Sequence, residues 1–174
     1  MDIKIDDYFL RDWVEDDAHS LAKYANNIKI LRNLRDLFPY PYRLKDAQNF
    51  ISNVTQVDPK TVFAIATEHE AIGSIGLSMG SDVHRYTAEL GYFLAEPYWG
   101  KGIMTGAVKA AVDYAINELK LNRVYAEPYQ ANKSSEKVLI KAGFTKEGIM
   151  RANVFKDGKI LDQVLYGFIN RPAL

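Results

Sequence analysis

The chain has no cysteine. That excludes disulfide staples, a thiolate nucleophile and any zinc site built on cysteine ligands, and it suits a reducing compartment. Histidine is scarce: His19, His69 and His84 fall on separate segments with no metal-ligand spacing between any two, so no metal is expected. Net charge is absent as well. Lys plus Arg and Asp plus Glu both number 22, which leaves no global field to draw the protein to nucleic acid or to an anionic membrane. No uninterrupted apolar run reaches membrane-spanning length, and Met1-Asp2-Ile3-Lys4 lacks the basic-then-apolar pattern of a secretion signal. Repeats, low-complexity tracts and linkers are missing too. What remains is a chain of 174 residues, 48% hydrophobic, expected to be one soluble cytoplasmic domain over residues 1–174.

Residues 3–13 alternate as one strand and run into Glu15-Asp16-Asp17, whose carboxylates can cap a helix over residues 18–26. A short helical piece follows at 28–34. Phe38-Pro39-Tyr40-Pro41-Tyr42 then breaks the helix, because proline lacks an N–H and pushes its predecessor into extended backbone. The aromatics between the prolines make this a structured loop. Residues 44–54 read as helix, 62–67 and 71–79 as a hairpin about Glu68-His69-Glu70, and 88–94 as a strand. Over 103–119 Ile103, Ala107, Ala111 and Ala115 fall on one helical face, with Lys109, Asp113 and Asn117 opposite. Residues 123–129 form a strand, 132–142 a helix closed by Gly143, and 145–155 with 159–169 a hairpin turned by Asp157-Gly158. This order implies an α+β fold, a mixed sheet with helices packed on it.

The junction Trp99-Gly100-Lys101-Gly102-Ile103-Met104-Thr105 joins a strand to the most regular helix of the chain. Two glycines let the backbone approach a ligand closely, and the first N–H groups of a helix attract an anion. A Walker loop does not fit, since Lys101 is followed by Gly102 and position 96 is Glu. A dinucleotide fold could claim Gly100, Gly102 and Gly106, with Glu127 as the acidic partner. Its third glycine is one residue late, and a hairpin-rich stretch precedes the loop where a buried parallel strand belongs.

A third reading rests on several motifs in order. Glu89-Leu90-Gly91-Tyr92-Phe93-Leu94, Pro97 through Met104, Asn132-Lys133-Ser134-Ser135 and Lys141-Ala142-Gly143-Phe144 resemble the GNAT N-acetyltransferases. Leu10-Arg11-Asp12-Trp13, Glu15-Asp16-Asp17-Ala18 and Phe38 through Tyr42 extend the resemblance to the subgroup that acetylates the N-termini of ribosomal proteins. The family loop runs Arg or Gln, two residues, Gly, one residue, then Gly or Ala; Trp99 and Met104 depart from it. Backbone N–H groups do most of the pyrophosphate binding in such a loop, so the departures weaken the motif more than its chemistry.

The resemblance implies a mostly antiparallel mixed sheet of about six to seven strands, helices on both faces and a central splay between two adjacent strands. It implies acetyl-coenzyme A as donor, its pantetheine arm along Phe93 and Leu94. The pyrophosphate would lie at Trp99, Gly100, Lys101, Gly102, Ile103, Met104 and Thr105, with Asn132 as a further cofactor contact. Acetyl transfer needs a neutral amine, a stabilised oxyanion and a protonated or stabilised thiolate. By resemblance Glu89 is the base, and Ser135 faces the sulfur as acid or hydrogen-bond donor. Asn132 and Ser135 also suit a plain helix cap and first turn. Phe38, Tyr40 and Tyr42, with Arg35, are candidates for the acceptor wall. The acceptor is a primary amine, either a protein N-terminus or a small molecule such as a polyamine, amino sugar or antibiotic. A non-catalytic acyl-coenzyme A binding module is the alternative from another class. The oligomeric state is expected to be monomer or homodimer.

Overall fold

The computed structural model describes residues 2–170. Its strands are β1 (Asp2–Ile5), β2 (Tyr8–Arg11), β3 (Val62–Ala66), β4 (Ala71–Met79), β5 (Thr87–Leu94), β6 (Arg123–Ala126), β7 (Thr145–Lys156) and β8 (Lys159–Ile169). Its α-helices are α1 (Ala18–Ala25), α2 (Ile28–Leu31), α3 (Leu44–Thr55), α4 (Ile103–Asn117) and α5 (Lys133–Lys141). The strands form one sheet in the order β1-β2-β3-β4-β5-β6-β8-β7. Pairing is antiparallel in β1/β2, β2/β3, β3/β4, β6/β8 and β7/β8, and parallel between β5 and β6. This is the expected mostly antiparallel mixed sheet, with eight strands instead of six or seven.

The chain divides into two compact units, Met1–Gly76 with Tyr92–Ala107 and Leu77–Gly91 with Val108–Leu174. In the first, the single strand expected over 3–13 is instead the hairpin β1/β2, with Ile5 opposite Tyr8. Asp6 turns the chain at φ 51°, a left-handed conformation that a short polar side chain tolerates. Both arms alternate, so the pattern reads straight through the turn.

The carboxylate of Asp17 was expected to cap α1. It makes no such bond, and instead accepts two hydrogen bonds of 2.7 Å from the Arg11 guanidinium and one of 3.1 Å from the Val14 N–H. A bidentate charged pair outcompetes a neutral cap. The same bonds raise the Arg11 pKa. The apolar faces of α1 and α3 bury Leu21, Ala25, Ala47 and Ile51 in a cluster with Trp13, Ile30, Tyr42 and Phe93. β4 and β5 approach closely here: a Cβ on Gly73 would lie 2.5 Å from the Phe93 carbonyl oxygen.

In the second unit α4 buries Val108, Ala111, Val112 and Ala115 and exposes Lys109, Asp113 and Asn117, as its periodicity predicts. β6 stops at Ala126, short of the expected residue 129, because Pro128 carries no N–H for a ladder. Tyr129 keeps an isolated bridge to Gln163. β7 and β8 turn at Asp157 (φ 50°) and Gly158 (φ 76°), as the Asp-Gly pair predicts. Among the described residues the β5/β6 ladder pairs Thr87, Ala88 and Glu89 with Arg123, Val124 and Tyr125, while β5 runs on to Leu94.

Candidate active site

β5 ends at Leu94, and a short 3-10 turn over Glu96–Tyr98 leads into the glycine loop and α4. Gly100 and Gly102 stand at φ 77° and 80°, and a Cβ on either would meet nothing within 4 Å. The cradle is therefore open, and it needs glycine for conformation, not for space. Ile103 and Met104 bury their side chains, which fixes the first turn of α4, where no preceding helical carbonyl exists to take the backbone N–H groups. Gly106 has a different reason: a Cβ there would lie 2.3 Å from Cγ2 of Ile5, so β1 lies directly against that turn. Exposed backbone at the positive end of a fifteen-residue helix suits a phosphate-type anion.

The turn before the cradle is held from several sides. Glu96 accepts a hydrogen bond of 2.8 Å from Asn27 Nδ2 and a short one from the Lys29 ammonium. The Lys29 bond first, then that from Asn27, keep its pKa below the usual carboxylate value. Tyr98 stands edge-on to Tyr8 and Tyr24 at 6.3 and 6.1 Å, and the Lys101 ammonium lies 5.2 Å from its ring centroid. Trp99, 44% exposed, donates its indole N–H to the Leu94 carbonyl at 2.6 Å. The sequence marks Trp99 as a departure from the family pattern within the expected pyrophosphate loop, and gives its side chain no partner. A residue with one ring donor, five positions after a strand end, was the available signal.

The acceptor-wall candidates divide. Phe38 stacks on Tyr42 at 4.7 Å and meets Phe93 edge-on at 5.7 Å, so the proline-rich loop packs against the end of β5. The Tyr42 N–H donates to Asn26 Oδ1 at 3.0 Å, and burial pushes the Tyr42 hydroxyl pKa up to about 12. Tyr42 thus belongs to the core. Tyr40 is 60% exposed and Arg35 is exposed, so both lie at the surface.

In the second unit Glu89 is half-buried on β5, opposite Tyr125. Asn132 and Ser135 lie together at the start of α5: Asn132 Oδ1 accepts from the Ser135 N–H at 3.2 Å and from the Ser134 hydroxyl at 3.0 Å. Asn132 is therefore a true N-cap. Glu136, one residue on, accepts from Lys133 at 2.6 Å and from the Tyr166 hydroxyl at 2.8 Å. Among the described residues no group of three or more His, Cys, Asp or Glu could hold a metal ion, and no helix is long and apolar enough to cross a membrane.

Against this geometry, the family described as the acetyltransferase (GNAT) domain matches residues 8–145. The chain belongs to the GNAT acetyltransferase family. Among GNAT relatives, the probable N-acetyltransferase YjcK of Bacillus subtilis is 44% identical over 105 residues, 60% of this chain and 58% of that protein. The ribosomal protein uS5-alanine N-acetyltransferase of Escherichia coli is 34% identical over 94 residues, 52% of this chain and 48% of its own length. The chain thus spans about half the length of these two relatives. Two solved GNAT structures share the fold at 20% identity. A ribosomal L7/L12 α-N-protein acetyltransferase in complex with coenzyme A has a TM-score of 0.86, with 97% of this chain and 98% of that one covered. A spermidine N-acetyltransferase from Vibrio cholerae with coenzyme A and spermine has a TM-score of 0.78, with 95% and 96% covered.

Proposed function

We propose that this protein transfers the acetyl group of acetyl-coenzyme A to a primary amine, working as a single N-acetyltransferase domain in the cytoplasm. The observation that carries the reading is the cradle: two glycines with positive φ and open space at the start of α4, on a chain of the GNAT family. The donor supplies an activated acetyl thioester. The backbone of Trp99 through Thr105 holds its pyrophosphate, and the backbone of Phe93 and Leu94 supports the pantetheine arm. Glu89 accepts the proton of the incoming ammonium, through water or directly, so that the amine attacks as its neutral form. A main-chain N–H near Leu94 steadies the developing oxyanion. As the adduct collapses the C–S bond breaks, the amide nitrogen gives up its remaining extra proton to the departing thiolate, and coenzyme A leaves as the thiol. Ser135 donates a hydrogen bond to that sulfur, and the Asn132 amide contacts the donor while its oxygen keeps the cap.

We assign a protein N-terminal amine as the acceptor class, because N-terminal acetyltransferases of ribosomal proteins recur among the relatives and structural neighbours. Arg35 and Tyr40, on the exposed side of the proline-rich loop, would meet the peptide. The test is a panel of acceptors under saturating acetyl-coenzyme A, with release of free thiol as readout. Peptides with N-terminal Ala or Ser should turn over at least tenfold faster than spermidine or an amino sugar. Preference for spermidine moves the assignment to small-molecule acetylation, the activity named for one structural neighbour. Coenzyme A binding with no turnover on any amine would leave only a binding module.

A further inference from the structure

Trp99 stands where the family pattern has Arg or Gln, side chains that carry several donors; an indole has only one. In this chain that donor is committed: it rests on the Leu94 carbonyl at 2.6 Å, bridging the last residue of β5 and the first of the loop. The bond closes the segment 95–98 into a small ring. The opposite side of this ring is held by Asn27 and Lys29 on Glu96 and by Tyr8 and Tyr24 against Tyr98. Behind the bond the β5 end is fixed by the Ala95 N–H on the Ile72 carbonyl at 2.8 Å. Ahead of it lie Gly100 and Gly102, which have no side chains to hold their own conformation and nothing within 4 Å of a Cβ. Two glycines one residue apart keep one geometry only if the residue before them is fixed: the Trp99 backbone N–H is held on the Glu96 carbonyl at 3.1 Å, and the indole bond adds a second tie, to the strand end.

We propose that Trp99 is a positioning residue for the donor: its indole N–H, held on Leu94, sets the backbone geometry of the Gly100–Gly102 cradle before coenzyme A binds. This rests on the reading of the cradle as the coenzyme A site. The role is preorganisation, so it acts on donor affinity and not on the chemical step. Trp99 contributes no charge to the bound pyrophosphate, whereas an Arg there would.

Trp99→Phe keeps an aromatic ring and removes only the donor. The full-length protein and this variant are compared by calorimetric titration with coenzyme A, by steady-state kinetics and by amide exchange over residues 95–102 without ligand. Loss of one such hydrogen bond should raise the coenzyme A Kd and the acetyl-coenzyme A KM about fivefold to tenfold. The value of kcat should stay within about twofold, and loop amides should exchange faster in the variant. The protein has two tryptophans, and Trp13 is only 4% exposed, so a ligand-induced emission change should belong to Trp99 and vanish in the variant. Unchanged Kd and loop exchange in Trp99→Phe, or a fall in kcat at constant KM, would overturn the role of Trp99 alone. A wild-type protein that does not bind coenzyme A would overturn the reading of the cradle itself.

Discussion

Two helix starts in this molecule solve the same problem in opposite ways. At α5 the chain satisfies its own first-turn donors: Asn132 Oδ1 takes the Ser135 N–H, and Lys133, Glu136 and Tyr166 brace the turn with side chains. At α4 the approach is made by Gly100 and Gly102, which offer no side chain at all. A turn that satisfies itself is stable without a ligand; a turn stripped to backbone offers its donors to one. The glycine start therefore suits the anion of the proposed donor, and the asparagine start suits a turn that is stable by itself. The α5 turn carries Ser135, proposed to face the departing thiolate, and removal of the amine proton is proposed for Glu89 on β5.

The largest expected effect tests that last division. Glu89→Gln keeps size and polarity but removes the proposed base, so kcat should fall about 10²- to 10³-fold at neutral pH while the coenzyme A Kd stays within about twofold. Pre-steady-state and equilibrium titrations together check it. A comparable loss of donor affinity would mean that Glu89 supports the cradle, and the separation of binding from chemistry would collapse.

Next in size is the glycine start. Gly100→Ala and Gly102→Ala each add a Cβ into open space, so any cost comes from φ near +80° and not from a clash. That strain is about 1–2 kcal/mol per residue. Relaxing it should tilt the loop, raising the acetyl-coenzyme A KM about tenfold per substitution while kcat changes little. Gly106→Ala serves as a contrast, since its Cβ would meet Ile5 at 2.3 Å: it should lower Tm as well as affinity. If Gly100→Ala and Gly102→Ala bind coenzyme A like the parent, the cradle is not the anion site.

These two starts also mark how far the sequence could be read. The glycine junction, the α4 stripe and the Asp157-Gly158 turn each combine local chemistry with the right period, and all three were legible. The β1/β2 hairpin was not, because Asp6-Asp7 carries no glycine and the alternation of Ile3, Ile5, Tyr8 and Leu10 runs on through the turn. Asp17 looked like a cap for α1; only the fold brings Arg11 close enough to claim it. At the site, Asn132 was read as a cap that could also serve a ligand, and its local bonds confirm the cap alone. Trp99 on Leu94 was invisible because a side chain reaching back to a strand-end carbonyl leaves no periodic trace.

A smaller effect separates the two duties given to Asn132. Asn132→Ala removes the cap and should cost about 1 kcal/mol, a fall of a few degrees in Tm. Asn132→Ser keeps a capping oxygen but loses the amide N–H₂. Stability should return to within a few tenths of a kcal/mol in the serine variant, while the acetyl-coenzyme A KM stays about threefold high. Thermal unfolding beside steady-state kinetics reads both. Full recovery of KM in the serine variant would leave Asn132 with the cap alone.

The smallest expected effect is a pH dependence built into the α5 start. Burial first, then the hydrogen bond to Glu136, raise the Tyr166 hydroxyl pKa to about 12. A group whose folded pKa lies above its unfolded value of 10.0 contributes stability that is whole below that value and lost as pH rises toward 12. Tyr42, likewise raised to about 12 by burial, adds to the same alkaline limb. Glu136 acts in the opposite direction: the Lys133 bond first, then that from Tyr166, lower its pKa, so its contribution holds above pH 4.5 and fades as pH falls through the lowered value. Tyr166→Phe should therefore flatten part of the alkaline limb, by under about 1 kcal/mol at pH 11, and shift the acid limb slightly upward. Urea unfolding of parent and variant at a series of pH values measures both limbs. Because Tyr166 lies outside the loop proposed to hold coenzyme A, Tyr166→Phe should leave donor affinity unchanged between pH 6 and 9. A parallel change in affinity would show that the two helix starts are not independent.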